Sequence, residues 1–497
     1  MPIAPKFATL KPGRLFLGGE WQESVSGATS PDVNPATGAK LVDVAKADRA
    51  DIDRAVAAAR KAFDEGPWRK KMSASDRGKA LLKIAEGIRK RADELAELES
   101  LDKGKPIREA KGQVWLTAEC FEYYAGWCTK LGGETIPVSG NFLNYTLREP
   151  VGVVAAIVPW NFALLIAAWK VAPALAAGNT VILKPASETP LSALALGEIA
   201  HEAGLPPGVL NVITGPGSSV GMALVEHAGV DKVSFTGSTE VGKAIQRAAA
   251  ATVKRVTLEL GGKSPNIVLA DADLEAAVKG AQLGIFFNQG EVCSAGSRIL
   301  VEEKVHDEFV ARFADAAQKL AAGQGDPLDP NTRLGSQVSE GQLKSILAYC
   351  EKGKAEGAKL VAGGERSKIA GFENGAFLKP TIFDDVSPDH TIAREEIFGP
   401  VAAVIRGNDV DDVVEKANRT IYGLASAIWT RDVKKAHAIA RRLRAGTVWI
   451  NCYNVFDAAS PFGGFKQSGF GRDLGAAALE GFTEVKSVWV DLSPYTP

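Results

Sequence analysis

Charge of one sign is what this chain most plainly lacks. Its 58 Lys and Arg against 59 Asp and Glu leave a formal net charge of -1. That balance excludes a nucleic-acid binder that works by neutralising phosphates. Cysteine is scarce: Cys120, Cys128, Cys293, Cys350 and Cys452 are all there are in 497 residues. The number is odd and no C-x-x-C occurs, so neither a disulfide framework nor a zinc site is indicated. The five histidines (His201, His227, His306, His390 and His437) have no metal-ligand spacing, and no metal is expected. The stretch MPIAPKFATLKPGRLF has no apolar core of the signal-peptide kind, so a reducing, cytoplasmic setting is the expectation. Only one long apolar run exists, Val151 to Gly178. It is long enough to span a bilayer, but Pro159 and Pro173 break it, and Asn161 and Lys170 put polar groups mid-span, which lipid penalises. A buried strand, a polar-tipped turn at Pro159-Trp160-Asn161 and a buried helix fit better, and no membrane contact is expected.

What the chain has is length and glycine. At about 150 residues per domain it holds roughly three units, with ample core and no need of cross-links. Gly at 51 of 497 is about 10%, against a usual ~7%, so tight turns and close backbone approaches are frequent. Residues 48–130 read as helices, with Ile52, Val56, Ala59 and Phe63 on one face and Leu81, Ile84, Ala85 and Ile88 on another. From Val151 the pattern becomes short apolar runs (153–158, 180–183, 209–213, 232–235 and 256–260) alternating with helical stretches at 164–177, 191–203, 220–228 and 241–251. That alternation predicts βαβ units and a parallel sheet covered on both faces. A second α/β stretch begins near Gly261, with strands expected at 267–269, 298–301, 401–405 and 447–450, and helices at 306–320, 411–418 and 434–443. The polar segment 133–149 and the Val-rich tail 484–490 fit neither block; a strand-like tail with exposed apolar residues suits an oligomer edge.

Parallel sheets bind ligands at the carboxyl ends of their strands, so residues that follow a strand come first. Thr214-Gly215-Pro216-Gly217, with Gly221 beyond, follows one strand and opens a helix; Phe235-Thr236-Gly237-Ser238 through Gly242 does so again one unit later. Such loops let the backbone approach a pyrophosphate at a helix N-terminus, although neither is a clean G-x-G-x-x-G and a plain tight turn is the alternative. Cys293 sits in the polar run Asn288-Gln289-Gly290-Glu291-Val292-Cys293, unlike the apolar setting of an inert core cysteine. It is the candidate nucleophile. Glu259 ends an apolar strand, where burial would raise its pKa and suit it to general-base work; a salt bridge to Lys263 is the bland alternative. Asn161 offers an amide to polarise a carbonyl oxygen, or merely a helix cap. Glu396-Ile397-Phe398-Gly399-Pro400 reads only as a turn beside an acid.

Together these segments resemble the NAD(P)-dependent aldehyde dehydrogenase superfamily, over essentially the whole chain and in the family's order. The motifs are PWNF at Pro159–Phe162, KPAS at Lys184–Ser187, FTGSTEVG at Phe235–Gly242, LELGGKSPNIV at Leu258–Val268, FFNQGEVCSAGSR at Phe286–Arg298, EEIFGP at Glu395–Pro400 and PFGGFKQSGFGRD at Pro461–Asp473. The resemblance implies an α/β fold: a Rossmann-like cofactor domain (1–131 and 151–260), an α/β catalytic domain (261–467) and a small β oligomerisation element (132–150 and 468–497). It implies Cys293 as the thiolate that attacks the aldehyde, Asn161 and the Cys293 N–H as oxyanion donors, and Glu259 as the base that activates water. The cofactor, NAD or NADP, would meet Ile157, Val158, Pro159, Trp160, Lys184, Ser187, Glu188, Gly217, Phe235, Thr236, Gly237, Ser238, Val241, Leu260, Gly261, Glu396 and Phe398. Of these, Glu396 holds the nicotinamide ribose, Ser238 the pyrophosphate and Lys184 the adenine ribose.

Two departures bear on specificity. Family members that favour NAD commonly carry a Glu three residues after the motif lysine; here Ser187 stands there and Glu188 follows. A serine beside Lys184 can accept a 2′-phosphate that a carboxylate would repel, so NADP use is expected. Ala163 replaces the usual Pro after PWNF, with a small local effect expected. Phe162, Trp169, Phe287, Val292, Phe456 and Phe462 match the family's substrate tunnel, and an aromatic funnel favours apolar aliphatic or aromatic aldehydes. Betaine aldehyde is the runner-up, since aromatic boxes attract quaternary ammonium groups and Asp457 lies beside the funnel. A CoA-acylating semialdehyde dehydrogenase is disfavoured by Glu259, and a non-catalytic structural protein by Cys293, Glu259 and Asn161 together. A homodimer or homotetramer is expected.

Overall fold

The computed structural model describes residues 10–494. Val153–Ile157 pairs in parallel with Thr180–Lys184 on one side and Lys232–Thr236 on the other; Leu210–Val212 and Arg255–Glu259 extend the sheet. In chain order this is three-two-one-four-five, a Rossmann-like half with its switch point between Val153–Ile157 and Lys232–Thr236. The first two of these strands and Lys232–Thr236 are buried throughout, as a sheet covered on both faces requires. Helices Ala163–Ala176, Leu191–Glu202 and Thr239–Ala249 connect them. The expected strands are met to within a residue or two. Pro173 lies inside helix Ala163–Ala176, within the helical stretch expected at 164–177; only three residues follow it, so little of the helix lies beyond the ring. The loop at Gly217 opens a helix as expected, through a wide helical turn, Gly217–Gly221, that runs directly into Met222–Glu226.

The amino-terminal helices Arg49–Asp64 and Ala74–Lys90 begin with reciprocal side-chain caps, Asp48 with Asp51 and Ser73 with Asp76, each worth about 1 kcal/mol. Their predicted apolar faces are buried. Helices Ala92–Lys103 and Ile107–Trp127 complete this layer, and Ile107–Trp127 packs along Ala163–Ala176. The second sheet centres on Pro265–Val268, flanked in parallel by Arg298–Glu302 and Ala425–Trp429, with Val401–Gly407, Thr381–Asp384 and Thr447–Ile450 outside them. Phe142–Pro150 pairs antiparallel with Thr483–Asp491 along its whole length and with Thr135–Ile136. Phe142, Leu143, Leu147, Val485, Trp489 and Val490 are exposed on this small sheet. One tail segment goes elsewhere: Gly469–Phe470 caps the edge of the first sheet, opposite Glu259 and Leu258. Among the described residues no helix is long and apolar enough to cross a membrane.

Candidate active site

The three candidate reacting groups converge from two strand ends and a loop that follows a helix. Asn161 lies in the turn after Val153–Ile157, and Glu259 closes Arg255–Glu259. Cys293 follows helix Leu274–Phe286 and a left-handed run at Asn288 (φ 48°), Gln289 (φ 59°) and Gly290 (φ 74°). Such backbone is costly for non-glycine residues and persists only where the surroundings impose it. Here Asn288 N–H donates to Glu109 Oε2 at 3.1 Å, and Tyr453 Oη donates to the Ser294 carbonyl at 2.8 Å. A Cβ at Gly290 would fall 2.2 Å from the Gly399 carbonyl carbon, so that position demands glycine.

Cys293 is a half-buried free thiol on a cavity of about 330 Å³ shared with Trp160, Asn161, Thr236, Glu396 and Phe398. Burial, with the Glu396 and Glu259 carboxylates adding, pushes the thiol up to about 12. It therefore rests protonated and needs a base to become nucleophilic. Asn161 is 2% exposed, and its Nδ2 donates to the Glu291 carbonyl at 2.9 Å. It is not a helix cap, since Phe162 holds that place without a side-chain bond. Neither oxygen of Glu259 has a hydrogen-bond partner among the described residues. Burial, then the Asp473 charge, holds its pKa well above the usual carboxylate range. The alternative salt bridge to Lys263 does not form: that ammonium is buried, also without a partner, under the influence of Glu396 and Glu395. Gly261 and Gly262 have by then carried the chain toward the second sheet. The buried pair Lys170–Asp473, at 3.0 Å, is what neighbours Glu259 electrostatically.

The residues expected to meet a dinucleotide suit one. Thr236 Oγ1 is buried, unpartnered and on the cavity wall. Ser238 Oγ accepts from Val241 N–H at 3.3 Å and caps Thr239–Ala249, an exposed helix N-terminus beside the cavity. Glu396 Oε1 accepts Gly262 N–H at 3.0 Å, and a Cβ at Gly261 would strike Glu396 Oε2 at 2.1 Å, so Gly261 lets the carboxyl in. Burial pushes Glu396 up to about 7. Phe398 stands edge-on to Trp160 at 5.1 Å, with Pro159 and Gly237 completing this part of the wall. Lys184, Ser187, Glu188 and Gly217 lie outside that cavity: Ser187 Oγ donates to Gly215 O at 3.1 Å, two residues before Gly217, and the field of exposed Glu188 reaches Lys184. Burial pushes Lys184 down to about 8. Ile157 ends its strand, Val158 N–H donates to Lys184 O at 3.1 Å, and Phe235 is buried beneath Gly237. Leu260 faces Gly242 on the helix side.

The tunnel candidates form two groups. Phe162 stacks on Phe287 at 6.2 Å, beside buried Val292. Trp169, Phe456 and Phe462 meet at 5.5–6.1 Å, in the same cluster that Cys293 and Phe162 join. Several features escaped the sequence reading: Gln342, Ser345, Tyr349 and Ile397 on the cavity wall, the Lys170–Asp473 pair, and buried Lys103 and Lys105. Among the described residues no group of three or more His, Cys, Asp or Glu side chains could hold a metal.

A Rossmann-like sheet whose cleft ends at a half-buried cysteine is the layout of a pyridine-nucleotide dehydrogenase. The chain belongs to the aldehyde dehydrogenase family, which it matches over residues 21–488, and it is an NAD(P)-dependent enzyme of that family. It is 53% identical to DhaS of Bacillus subtilis strain 168 over 99% of both chains. It is 50% identical to human retinal dehydrogenase 2, covering 97% of this chain and 92% of that one. It superposes on the NAD+ complex of Bacillus cereus aldehyde dehydrogenase with a TM-score of 0.96 at 48% identity, over 99% of this chain and all of the other.

Proposed function

We propose that this enzyme oxidises apolar aliphatic or aromatic aldehydes to carboxylic acids through a covalent Cys293 intermediate. The observation that carries the reading is the convergence of Cys293 and Asn161 on one cavity, with the buried, unpartnered Glu259 in electrostatic reach of the thiol. Glu259 takes the thiol proton, its basicity raised by burial to suit that transfer. Cys293 adds to the aldehyde carbon, and the oxyanion of the thiohemiacetal is held by the Asn161 amide and the Cys293 N–H. A nicotinamide held here would accept the hydride that the thiohemiacetal carbon gives up, and Cys293 would be left carrying the acyl group as a thioester. Glu259 then draws a proton from water, which hydrolyses the thioester and frees the acid. Glu396 positions the nicotinamide ribose, and the capped helix at Ser238 takes the pyrophosphate.

The Trp169, Phe456 and Phe462 cluster beside the thiol supports the apolar preference, as does the likeness to a retinal dehydrogenase. Ser187 next to Lys184 supports use of NADP alongside NAD. The two large sheets and the small three-stranded one support the division into cofactor, catalytic and oligomerisation parts, with the small exposed sheet joining subunits into a dimer or tetramer. The deciding assay incubates wild type and Cys293→Ala with a panel of aldehydes and each cofactor, following reduced nicotinamide and acid. Turnover by wild type alone is expected. No turnover on any aldehyde overturns the reading, and dependence on CoA would replace it with thioester transfer.

A further inference from the structure

Behind the oxyanion-holding turn lies a buried ionic lattice that the reaction above does not use. Lys103 ends helix Ala92–Lys103, and Lys105 follows two residues on; both are fully buried. Their ammonium groups sit under the aromatic rings that bracket Asn161, Lys103 at 5.6 Å from Trp160 and Lys105 at 5.5 Å from Phe162. Lys105 donates to the Asn161 carbonyl at 3.1 Å, to Glu99 at 2.7 Å and to Gln113 at 2.5 Å. Lys103 donates to Gln289 at 3.1 Å and pairs with Glu291, two residues before the nucleophile. The other oxygen of Glu291 accepts Val338 N–H at 3.0 Å.

That side chain is therefore tethered in two directions, and the carbonyl of the same residue receives the Asn161 amide. An amide NH₂ has two hydrogens. One is committed to Glu291, which leaves the other for the oxyanion; a flipped amide would set oxygen against oxygen. Burying an ion pair costs desolvation that its attraction only just repays, so matched apolar side chains would stabilise the fold as well. Stability alone does not account for the pair.

We propose that Lys103 and Glu291 are positioning residues: their ion pair fixes the Glu291 carbonyl, and that carbonyl sets the Asn161 amide for the oxyanion. The inference rests on the aldehyde-oxidising reading. Its test replaces both partners, Lys103→Met with Glu291→Met, so that no unpaired charge is buried and folding is preserved; Glu291→Gln, whose amide oxygen still accepts from Lys103, is the conservative control. Each is measured for aldehyde kcat/KM and for alkylation of Cys293 by iodoacetamide, in which sulfur displaces iodide and no oxyanion forms. The double variant is expected to lose about tenfold in kcat/KM, as a misplaced polar group does, while alkylating at the wild-type rate. Glu291→Gln should recover most of the loss, and in an Asn161→Ala background the double replacement should cost nothing further. Unchanged kcat/KM, parallel loss of alkylation, or a loss that multiplies with Asn161→Ala overturns the proposal. In that case an active wild type leaves the aldehyde-oxidising reading intact; a wild type that is alkylated but turns over no aldehyde overturns both.

Discussion

The side-chain amide of Asn161 and the main-chain carbonyl of Glu291 are 2.9 Å apart, joining the turn after the first parallel strand to the loop that carries Cys293. Replacing Asn161 by Asp puts carboxylate oxygens where the amide donors stood, against that carbonyl and against any oxyanion. Loss of one such donor costs about 10²–10³-fold in kcat. Steady-state kinetics of Asn161→Asp should show at least this loss, and a variant within about threefold of wild type would remove Asn161 from the oxyanion site.

Glu259→Gln removes the base from both proton transfers, that from the thiol and that from water. Formation of reduced nicotinamide and thioester hydrolysis should each slow by about 10²–10⁴-fold, the usual value of a general base. Rapid mixing should then show no fast burst of reduced nicotinamide ahead of a much slowed steady rate. Normal steady turnover would exclude Glu259 as the base.

The pH dependence follows from Glu259, which must be ionised to take the proton of Cys293. Burial holds the thiol up at about 12 and Glu259 well above its ordinary range. The competent form therefore grows as pH rises above the ordinary carboxylate range, and kcat/KM should climb with it, at up to about tenfold per unit. A flat profile would contradict these environments.

Ser187→Glu should lower kcat/KM for NADP much more than for NAD, by repelling the 2′-phosphate. Because buried Lys184 sits at about 8, its charge is present below that pH and fades above it. The ratio of NADP to NAD efficiency should accordingly fall as pH passes 8. A wild type that ignores NADP throughout would remove both residues from phosphate recognition.

The small antiparallel sheet exposes Trp489, 57% accessible, and Val485, 61%. Trp489→Lys should shift the enzyme toward monomer in light scattering. A monomeric wild type would show that this sheet joins nothing.

Legibility tracked burial. The first parallel sheet was readable to within a residue or two because its strands are continuous apolar runs. Leu15–Leu17 and Glu20–Gln22, which pair as a hairpin at its far edge, are three residues each and gave no period to read. Ala425–Trp429, a central strand of the second sheet, is ASAIW, whose strand formers Ile428 and Trp429 come only at its end, after two alanines and a serine. Glu259 and Asn161 were found because ligand chemistry gathers at strand ends, Cys293 because it stands in a polar, glycine-containing run, and motif order reinforced both. Lys103 and Lys105 were missed for the opposite reason: a lysine in a helical stretch reads as a solvated face. Lys103 is buried where its helix end meets Gln289 and Glu291, nearly two hundred residues away, and Lys105 where it meets Gln113 and the Asn161 turn.

Gly469–Phe470 pairs with the strand that ends in Glu259, which has a consequence for biosynthesis. Leaving the ribosome, the strand Arg255–Glu259 waits for its edge partner while roughly two hundred further residues are made, on the order of 10–40 s at about 5–20 residues per second. Throughout that interval one rim of the nascent sheet is open, with unpaired N–H and C=O groups of the kind that invite pairing with another chain. Chaperone demand during synthesis should therefore peak late, and be relieved only when almost the whole polypeptide has emerged.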